Sequence, residues 1–408
     1  MKIFMIAPEP FFEARGTPIS VQQRLEGLTA LGHDVDLLTY PIGQDIDLPG
    51  VRIYRLPRLP FIKAVKIGPS WAKGLLDILL AFKALQMLLF RRYDAIHTHE
   101  EAAFLGLVFG PLFGLPHVYD MHSSLPHQLK HFKLGDWWWL VRLFAFLERR
   151  VLKNCQAVIT IGADLERYVR RINPHVPAIT IHNVAVHTNG RLSKGRTRPG
   201  AAEALDLGTG PHIVYAGSFE RYQGLELLLE SAELVMRRYP KARFVLVGGQ
   251  PEQVERLRRL ASAQHLNDAL LLIGQVQIDE SLAYLDAADV LVSPRTAETS
   301  VPLKIYSYLH AGKPIVATRL AAHTQVLDEQ VALLVEPNKE ALAAGICACL
   351  ADPEFGRQLG TSARALAEQK YGFADYLEKL AQIYARLRPE QEPKANLPKG
   401  ADSARQVV

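Results

Sequence analysis

The segment Thr299-Ser300-Val301-Pro302-Leu303-Lys304 has the residue types of an anion site. It follows the apolar run DVLVSP and precedes a helical run, Ile305–His310, that stops at Ala311-Gly312-Lys313-Pro314. Hydroxyl residues and proline before the run, with glycine after it, predict a capped helix. Its N-terminus would stand at a strand end, where free N–H groups and the helix dipole attract anions. Lys304 falls in the first turn, against the dipole preference, so a bound anion explains it better than helix stability does. Tyr215 to Leu225 (YAGSFERYQGL) reads as a strand end, a Gly turn and a new helix, with Arg221 as candidate cation. Arg15-Gly16-Thr17-Pro18 has the same character after the first strand, and its glycine admits close approach to the backbone.

Other spacings are weaker. His97-Thr98-His99-Glu100-Glu101 has metal-ligand residue types, but strand alternation puts the two histidines on one face and both glutamates beyond the strand end. An acceptor-side cluster of His99 and Glu100, or plain core histidines, accounts for it better. Asp34-Val35-Asp36 and Asp45-Ile46-Asp47 have the form of a metal-binding acidic pair, one inside a strand and one in an early loop. No metal and no cofactor is expected.

The elements that position these residues alternate. Short apolar runs (KIFMIA, DVDLLT, VRIYRL, AIHTH, HVYDM, AVITI) are separated by helical patterns, and a second series (HIVYAG, RFVLVGG, LLLIG, DVLVSP, PIVAT, ALLVE) follows. Such alternation predicts parallel α/β sheets. Residues 187–210 are polar, basic and Gly-rich and read as a linker. The expected organisation is therefore an N-terminal Rossmann-like domain over 1–186 and a C-terminal Rossmann-like domain over 211–372, for which the resemblance given below implies acceptor and donor roles respectively. A C-terminal helix over 373–388 and a disordered tail over 389–408 complete it. Two such domains would face each other across a cleft, with ligands at the carboxyl ends of the strands. At 408 residues and 49% hydrophobic content, the chain is long and apolar enough for two cores. Three cysteines, Cys155, Cys347 and Cys349, make no disulfide framework and fit a reducing cytosol. MKIFMIAP is too short for a signal peptide, and the apolar runs Leu75–Phe90 and Ala102–Leu115 are too interrupted to span a bilayer.

The net charge of +5 lies wholly before residue 191: 21 Lys and Arg stand there against 16 Asp and Glu. From Leu48 to Leu76 no acidic residue occurs, while Arg52, Arg55, Arg58, Lys63, Lys66 and Lys73 mix with Tyr54, Phe61 and Trp71. Lys130 and Lys133 precede Trp137-Trp138-Trp139 and Arg142, of which one or two tryptophans are expected in the core. Basic residues beside interfacial aromatics suit an anionic membrane surface. The expected location is cytoplasmic, peripheral on the inner membrane face. The low total charge and absence of a recognised module argue against nucleic acid.

In their order, these motifs resemble a family: the retaining, nucleotide-sugar-dependent glycosyltransferases of the GT-B fold, family 4. The resemblance spans about residues 1 to 385. It rests on the Gly16 loop with LTALGHDVDLLT, on Asp94-Ala95-Ile96-His97-Thr98-His99, and on Val118-Tyr119-Asp120-Met121-His122. LERRVLKNCQAVITI, Ile181-His182-Asn183, YAGS with QGLELLLE, RFVLVGG, LLIGQV and PLKIYSYLHAGKPIVAT continue it. It implies that Gly16 and Thr17 border the donor diphosphate and that His122 faces the transferred sugar. Asn183 and the Gly217 turn join the donor site, Gly274, Gln275 and Val276 lie beside the nucleobase, and Thr299, Ser300, Val301, Pro302, Leu303 and Lys304 meet the diphosphate.

The sequence departs from the family where diphosphate-binding Arg and Lys would stand, having Ser218 and Gln223. It has Ser307 where a glutamate would hold the ribose, and Glu298 one position from where the partner glutamate belongs. Arg221, Arg295 and Lys304 are expected to supply the missing charge. The implied activity is sugar transfer from a nucleotide diphosphate to a lipid-linked or cell-envelope glycan at the membrane. A nucleotide-sugar epimerase of the same fold, or a non-catalytic binding homologue, is the alternative.

Overall fold

The computed structural model describes residues 1–12, 16–62, 65, 70–131, 138–184, 205–297 and 301–387. The first unit runs β1 (Lys2–Ala7), α1 (Gly16–Ala30), β2 (Asp34–Thr39), β3 (Val51–Arg55), α2 (Trp71–Phe90), β4 (Ala95–His99) and α3 (Ala103–Phe113). It continues through β5 (His117–Met121), α4 (Leu125–His131), α5 (Trp138–Asn154), β6 (Ala157–Thr160), α6 (Ala163–Ile172) and β7 (Ala178–Thr180). All its strands are parallel, in the order β3-β2-β1-β4-β5-β6-β7.

The second unit runs β8 (His212–Ala216), α7 (Leu225–Arg238), β9 (Arg243–Val247), α8 (Pro251–Ala263), β10 (Leu270–Gly274), α9 (Ile278–Asp286) and β11 (Val290–Ser293). Then come α10 (Lys304–Ala311), β12 (Ile315–Thr318), α11 (Ala321–Thr324), β13 (Leu333–Val335), α12 (Lys339–Ala351) and α13 (Pro353–Lys370). This sheet is also parallel, ordered β10-β9-β8-β11-β12-β13.

The central strands are buried on both faces, which is why they read as continuous apolar runs rather than alternating ones. In each sheet the order reverses beside the first strand of its unit, at β1/β4 and β8/β11. Ligand crevices open at the carboxyl ends of such switch points. Gly16 and His99 follow or end one pair of switch strands; Gly217 and Arg295 follow the other.

A C-terminal helix was expected over 373–388; α14 (Phe373–Ala385) returns to the first unit, where Tyr376, Leu380, Ile383 and Tyr384 join the core beneath α1. Gly27 permits this: a Cβ there would stand 2.7 Å from Tyr376 and 2.8 Å from Leu380, closer than packed carbons approach. The polar tail from 389 and linker residues 187–204 lie outside the described residues. No helix of the described residues is long and apolar enough to cross a membrane.

Candidate active site

Two groups of residues gather at the carboxyl edges of the sheets. In the second unit, β8 delivers its chain into Gly217 and Ser218, and a single 3-10 turn, Arg221–Gln223, leads into α7. Gly217 and Gly248 pass backbone to backbone: a Cβ on Gly248, whose φ is +117°, would fall 2.0 Å from the Gly217 carbonyl oxygen. That packing leaves the turn free of side-chain bulk. Lys304, the first residue of α10, places its Nζ 2.8 Å from Gln223 Oε1 and 3.8 Å above the Tyr215 ring. Gln223 in turn reaches Ser218 Oγ at 3.4 Å through Nε2. The two polar residues standing where family cations would be are thus joined to the one lysine that faces them.

Arg295, after β11, is buried with its guanidinium 5.1 Å from the Tyr222 ring. Burial first, and Arg295 second, hold the Lys304 amine well below the ordinary lysine value. Lys304 forms no ion pair among the described residues; its partners are the neutral Gln223 amide and the Tyr215 ring. A lysine at a helix start whose hydrogen-bond partner is a neutral amide matches an incoming anion. Arg221, expected to share this role, is exposed on its turn; Arg295 is the cation coupled to Lys304.

The start of α10 differs from expectation. Its N-cap is Leu303, with no side-chain cap, and the helix begins at Lys304. Thr299 and Ser300, predicted as caps, lie outside the described residues, as does Glu298. Val301 and Leu303 are half-buried and Pro302 is buried beside this start. Ser307 is half-buried one turn further on. Gly274 ends β10 with φ of +80° and open space at its Cβ position, Gln275 is exposed and Val276 half-buried. The Gly248 N–H donates to the Gly274 carbonyl at 2.7 Å, tying that turn to the Gly217 turn.

In the first unit His122 stands one residue past β5 and is 7% exposed. Its Nε2 lies 3.1 Å from His99 Nδ1 and 3.4 Å from Asp120 Oδ1. Asp120 accepts from Arg24 Nε at 2.7 Å, and His97 Nε2 stands 3.3 Å from the same carboxylate. Tyr384 bonds to His97 Nδ1, while Arg24 donates to the Tyr376 hydroxyl at 3.1 Å, so α14 closes the network from behind. Burial pushes the Asp120 carboxyl up; Arg24 and then His122 and His99 outweigh it and hold Asp120 well below the usual carboxylate range. Burial lowers His97, His99 and His122, so these imidazoles are neutral near pH 7.

His99, expected on the acceptor wall, is fully buried because its strand lies mid-sheet; it backs His122 instead. Glu100 is half-buried with a positive φ of 48°, accepts from Ser123 Oγ at 3.3 Å, and is pushed up to about 8 by burial and then by Glu101. Gly16 is exposed and Thr17 half-buried at the start of α1; Asn183 is buried. His97, His99 and Asp120 bring ligand atoms within 4.8 Å of one another, with the Arg24 guanidinium on Oδ2 of the same carboxylate. Asp36 is likewise committed, to Arg91 and Tyr93. The network around Asp120 was not legible beforehand; its one local signal was the spacing of Asp120 two residues before His122.

Two of the surface cations read from the acid-free stretch turn inward. Arg55 donates to Asp45 and to the Phe11 and Gln44 carbonyls, and Lys73 pairs with Glu101. Both are internal ties, because folding brings them acids from outside their own stretch. Arg52 and Arg58 are exposed, and so is Trp71 at 71%. Lys63 and Lys66 lie outside the described residues. Of the three tryptophans 137–139, one or two were expected in the core; Trp138 and Trp139 are 64% and 51% exposed because α5 turns them away from the sheet, and Trp137 is not described.

Comparison with known proteins agrees with this architecture. The model of the glycosyl transferases group 1 matches residues 210–352, and that of the glycosyl transferase 4-like domain matches residues 15–190. The chain is 24% identical over 377 residues to a D-inositol 3-phosphate glycosyltransferase of Pseudarthrobacter chlorophenolicus, covering 89% of this chain and 88% of that one. It is 24% identical over 398 residues to a phosphatidyl-myo-inositol mannosyltransferase of Mycobacterium tuberculosis, covering 94% and 96%. In fold it is similar to sucrose-phosphate synthase from Thermosynechococcus elongatus, with a TM-score of 0.76, 24% identity and coverage of 95% and 98%. Anabaena HepE in complex with UDP superimposes with a TM-score of 0.72 at 16% identity, covering 94% and 100%.

Proposed function

Since the chain belongs to the GT-B glycosyltransferases of family 4, we propose that it moves a sugar, with retention, from a nucleotide diphosphate to a lipid-linked or cell-envelope glycan acceptor at a membrane surface. The observation that carries this reading is the Lys304 amine at the β8/β11 switch point, hydrogen-bonded to the neutral Gln223 amide at the start of α10 and depressed first by burial and then by Arg295. A diphosphate would supply the missing charge there, with Gln223 and Ser218 as hydrogen-bond partners in place of the family's cations. Gly274 to Val276, at the end of the neighbouring strands, would border the base.

Across the cleft, neutral His122 would meet the sugar, held by Asp120 and His99. Catalysis in this reading is electrostatic: the leaving diphosphate is stabilised by cations and the start of α10, with no enzyme nucleophile and no metal. The relative named for a phosphatidyl-myo-inositol acceptor supports a lipid-linked acceptor. A cytoplasmic, peripheral location follows from the same reading.

The test is incubation with UDP- and GDP-sugars without acceptor. Slow release of free sugar and nucleotide diphosphate is expected, and His122→Ala should slow it by about 10²-fold or more. Interconversion of epimers would overturn the reading in favour of an epimerase. Binding without turnover would favour a non-catalytic homologue, the outcome to which Ser218, Gln223 and Ser307 point.

Proton linkage provides an independent check. Lys304 has a depressed pKa in the free protein, and a bound diphosphate would raise it again. Nucleotide binding should therefore take up protons, and affinity should be strongest below the free-state pKa and weaken as pH rises through it. Calorimetry at a series of pH values in buffers of different ionisation enthalpy should give different apparent heats once pH passes the free-state pKa of Lys304; identical heats throughout would contradict the assignment.

A further inference from the structure

Thirteen large hydrophobic side chains are exposed among the described residues, and twelve of them lie between Phe61 and Phe146; Tyr222 alone belongs to the second unit. Three neighbouring helices carry most of them. α2, α3 and α5 cover one face of the first sheet, with α3 touching both others, while α1 and α14 cover the opposite face. On α2 the residues Trp71, Ile78, Phe82 and Leu89 follow one stripe, opposite the stripe of Leu76, Leu80, Ala84 and Met87 packed on the sheet. A helix apolar on both sides is ordinarily buried on both. α3 contains no charged residue and exposes Val108 and Leu112.

α5 adds charge of one sign. Its outer face shows Trp138, Leu143 and Phe146 together with Arg142, Arg149 and Arg150. Arg142 lies 5.6 Å from the Trp138 ring and Arg150 5.3 Å from that of Phe146. The only acid of α5, Glu148, is turned inward to Ser124, the Leu125 N–H and Tyr168. The only acid of α2, Asp77, accepts from the Tyr40 hydroxyl. The layer thus presents apolar surface and cations with no exposed carboxylate, which is complementary to anionic lipid rather than to a protein surface of mixed charge.

Each of these helices runs antiparallel to the strands it joins, so its N-terminus lies at the carboxyl edge of the sheet. Phe61 and Trp71, whose rings stack 6.2 Å apart, and Trp138 and Trp139 stand at that end. His122 lies at the same edge.

We infer that the outer face of α2, α3 and α5 is a monotopic docking surface for an anionic bilayer, with its tryptophan rim setting the carboxyl edge of the first sheet at headgroup level. This rests on the lipid-linked acceptor proposed above. It shifts the main membrane contact from the cations of the acid-free stretch, of which Arg55 and Lys73 are internally tied, to an apolar layer that inserts, with Phe61 and Trp71 of that stretch at its rim.

Flotation with phosphatidylcholine vesicles, with and without about 30% phosphatidylglycerol, tests it. The protein should float with the anionic vesicles, keep a measurable share in about 0.5 M NaCl, and show a blue shift of tryptophan emission. The exposed-face variant Ile78→Asp/Phe82→Asp/Leu112→Asp should lose at least about tenfold in partitioning, with its donor hydrolysis in vesicle-free solution unchanged. Arg149→Glu/Arg150→Glu should weaken binding only at low salt. Failure of the native protein to float with either vesicle would overturn the inference. So would a concentration-dependent dimer that the triple substitution dissolves, since a second copy would then cover the face. Flotation without any donor hydrolysis would support docking and defeat the transferase reading alone.

Discussion

Exchanging Lys304 for glutamate is expected to abolish nucleotide binding. Lys304 is the first residue of α10, its Nζ is 2.8 Å from Gln223 Oε1, and Arg295 is the charge that acts on it. A phosphate held by two charge-assisted hydrogen bonds gains about 1.5–3 kcal/mol from each. The reversal removes one such bond and places a carboxylate against the diphosphate, so affinity should fall by more than about 10³-fold. The free protein should keep its fold, because burying a lysine beside an arginine is a cost that the native state already carries. Lys304→Gln, which retains a donor without charge, should bind weakly and measurably. Calorimetry with UDP and GDP decides it; an affinity unchanged by the reversal would move the diphosphate away from α10.

Arg24→Met should produce the largest loss of stability. Arg24 and Asp120 are 1% and 0% exposed and meet at 2.7 Å. Removing the guanidinium leaves the carboxylate buried with only neutral imidazoles around it, at a cost of about 3–5 kcal/mol. It also removes the hydrogen bond to Tyr376 that anchors α14. The pH dependence has a definite sign. In the native protein the Asp120 pKa is depressed, so its contribution is present above the unfolded carboxylate pKa and is lost only as pH falls through the folded value. In Arg24→Met burial dominates and raises that pKa, so the variant's deficit should shrink as pH falls and the carboxyl protonates. Urea midpoints measured across pH, with hydrogen exchange over residues 373–385, follow both effects. Adding Asp120→Asn should restore part of the lost stability, since no buried charge then remains. An unchanged midpoint in Arg24→Met would show the pair to be energetically idle.

The parts of the site carried by local sequence were legible before the fold. Gly217, Gln223 and Lys304 stood at strand ends or a helix start because turn glycines and apolar periodicity depend on immediate neighbours. The chemistry around His122 was legible only in part. His122 could be placed at a strand end, but Asp120 read as one more strand residue. Its partner Arg24 lies 96 positions away, and Tyr384, bonded to His97, lies 287 away.

The membrane argument changed in the same way. Counting charges along the chain treated Arg55 and Lys73 as free, whereas Asp45 and Glu101 neutralise them once the strands align. One or two of the three tryptophans 137–139 were expected in the core; Trp138 and Trp139 lie on the surface, and Trp137 is outside the described residues.

By itself the sequence determined two parallel α/β series, the order of their glycine turns, and a lysine at the start of a helix. These follow from the period of apolar residues and from turn chemistry, which act over a few residues. Only the tertiary structure decided which cations are spent on internal partners, which one stands beside the Gln223 amide at the start of α10, and which helix faces remain uncovered. A charge acts on what lies within a few ångströms of it, and distance along the chain carries no information about that until the sheets are assembled.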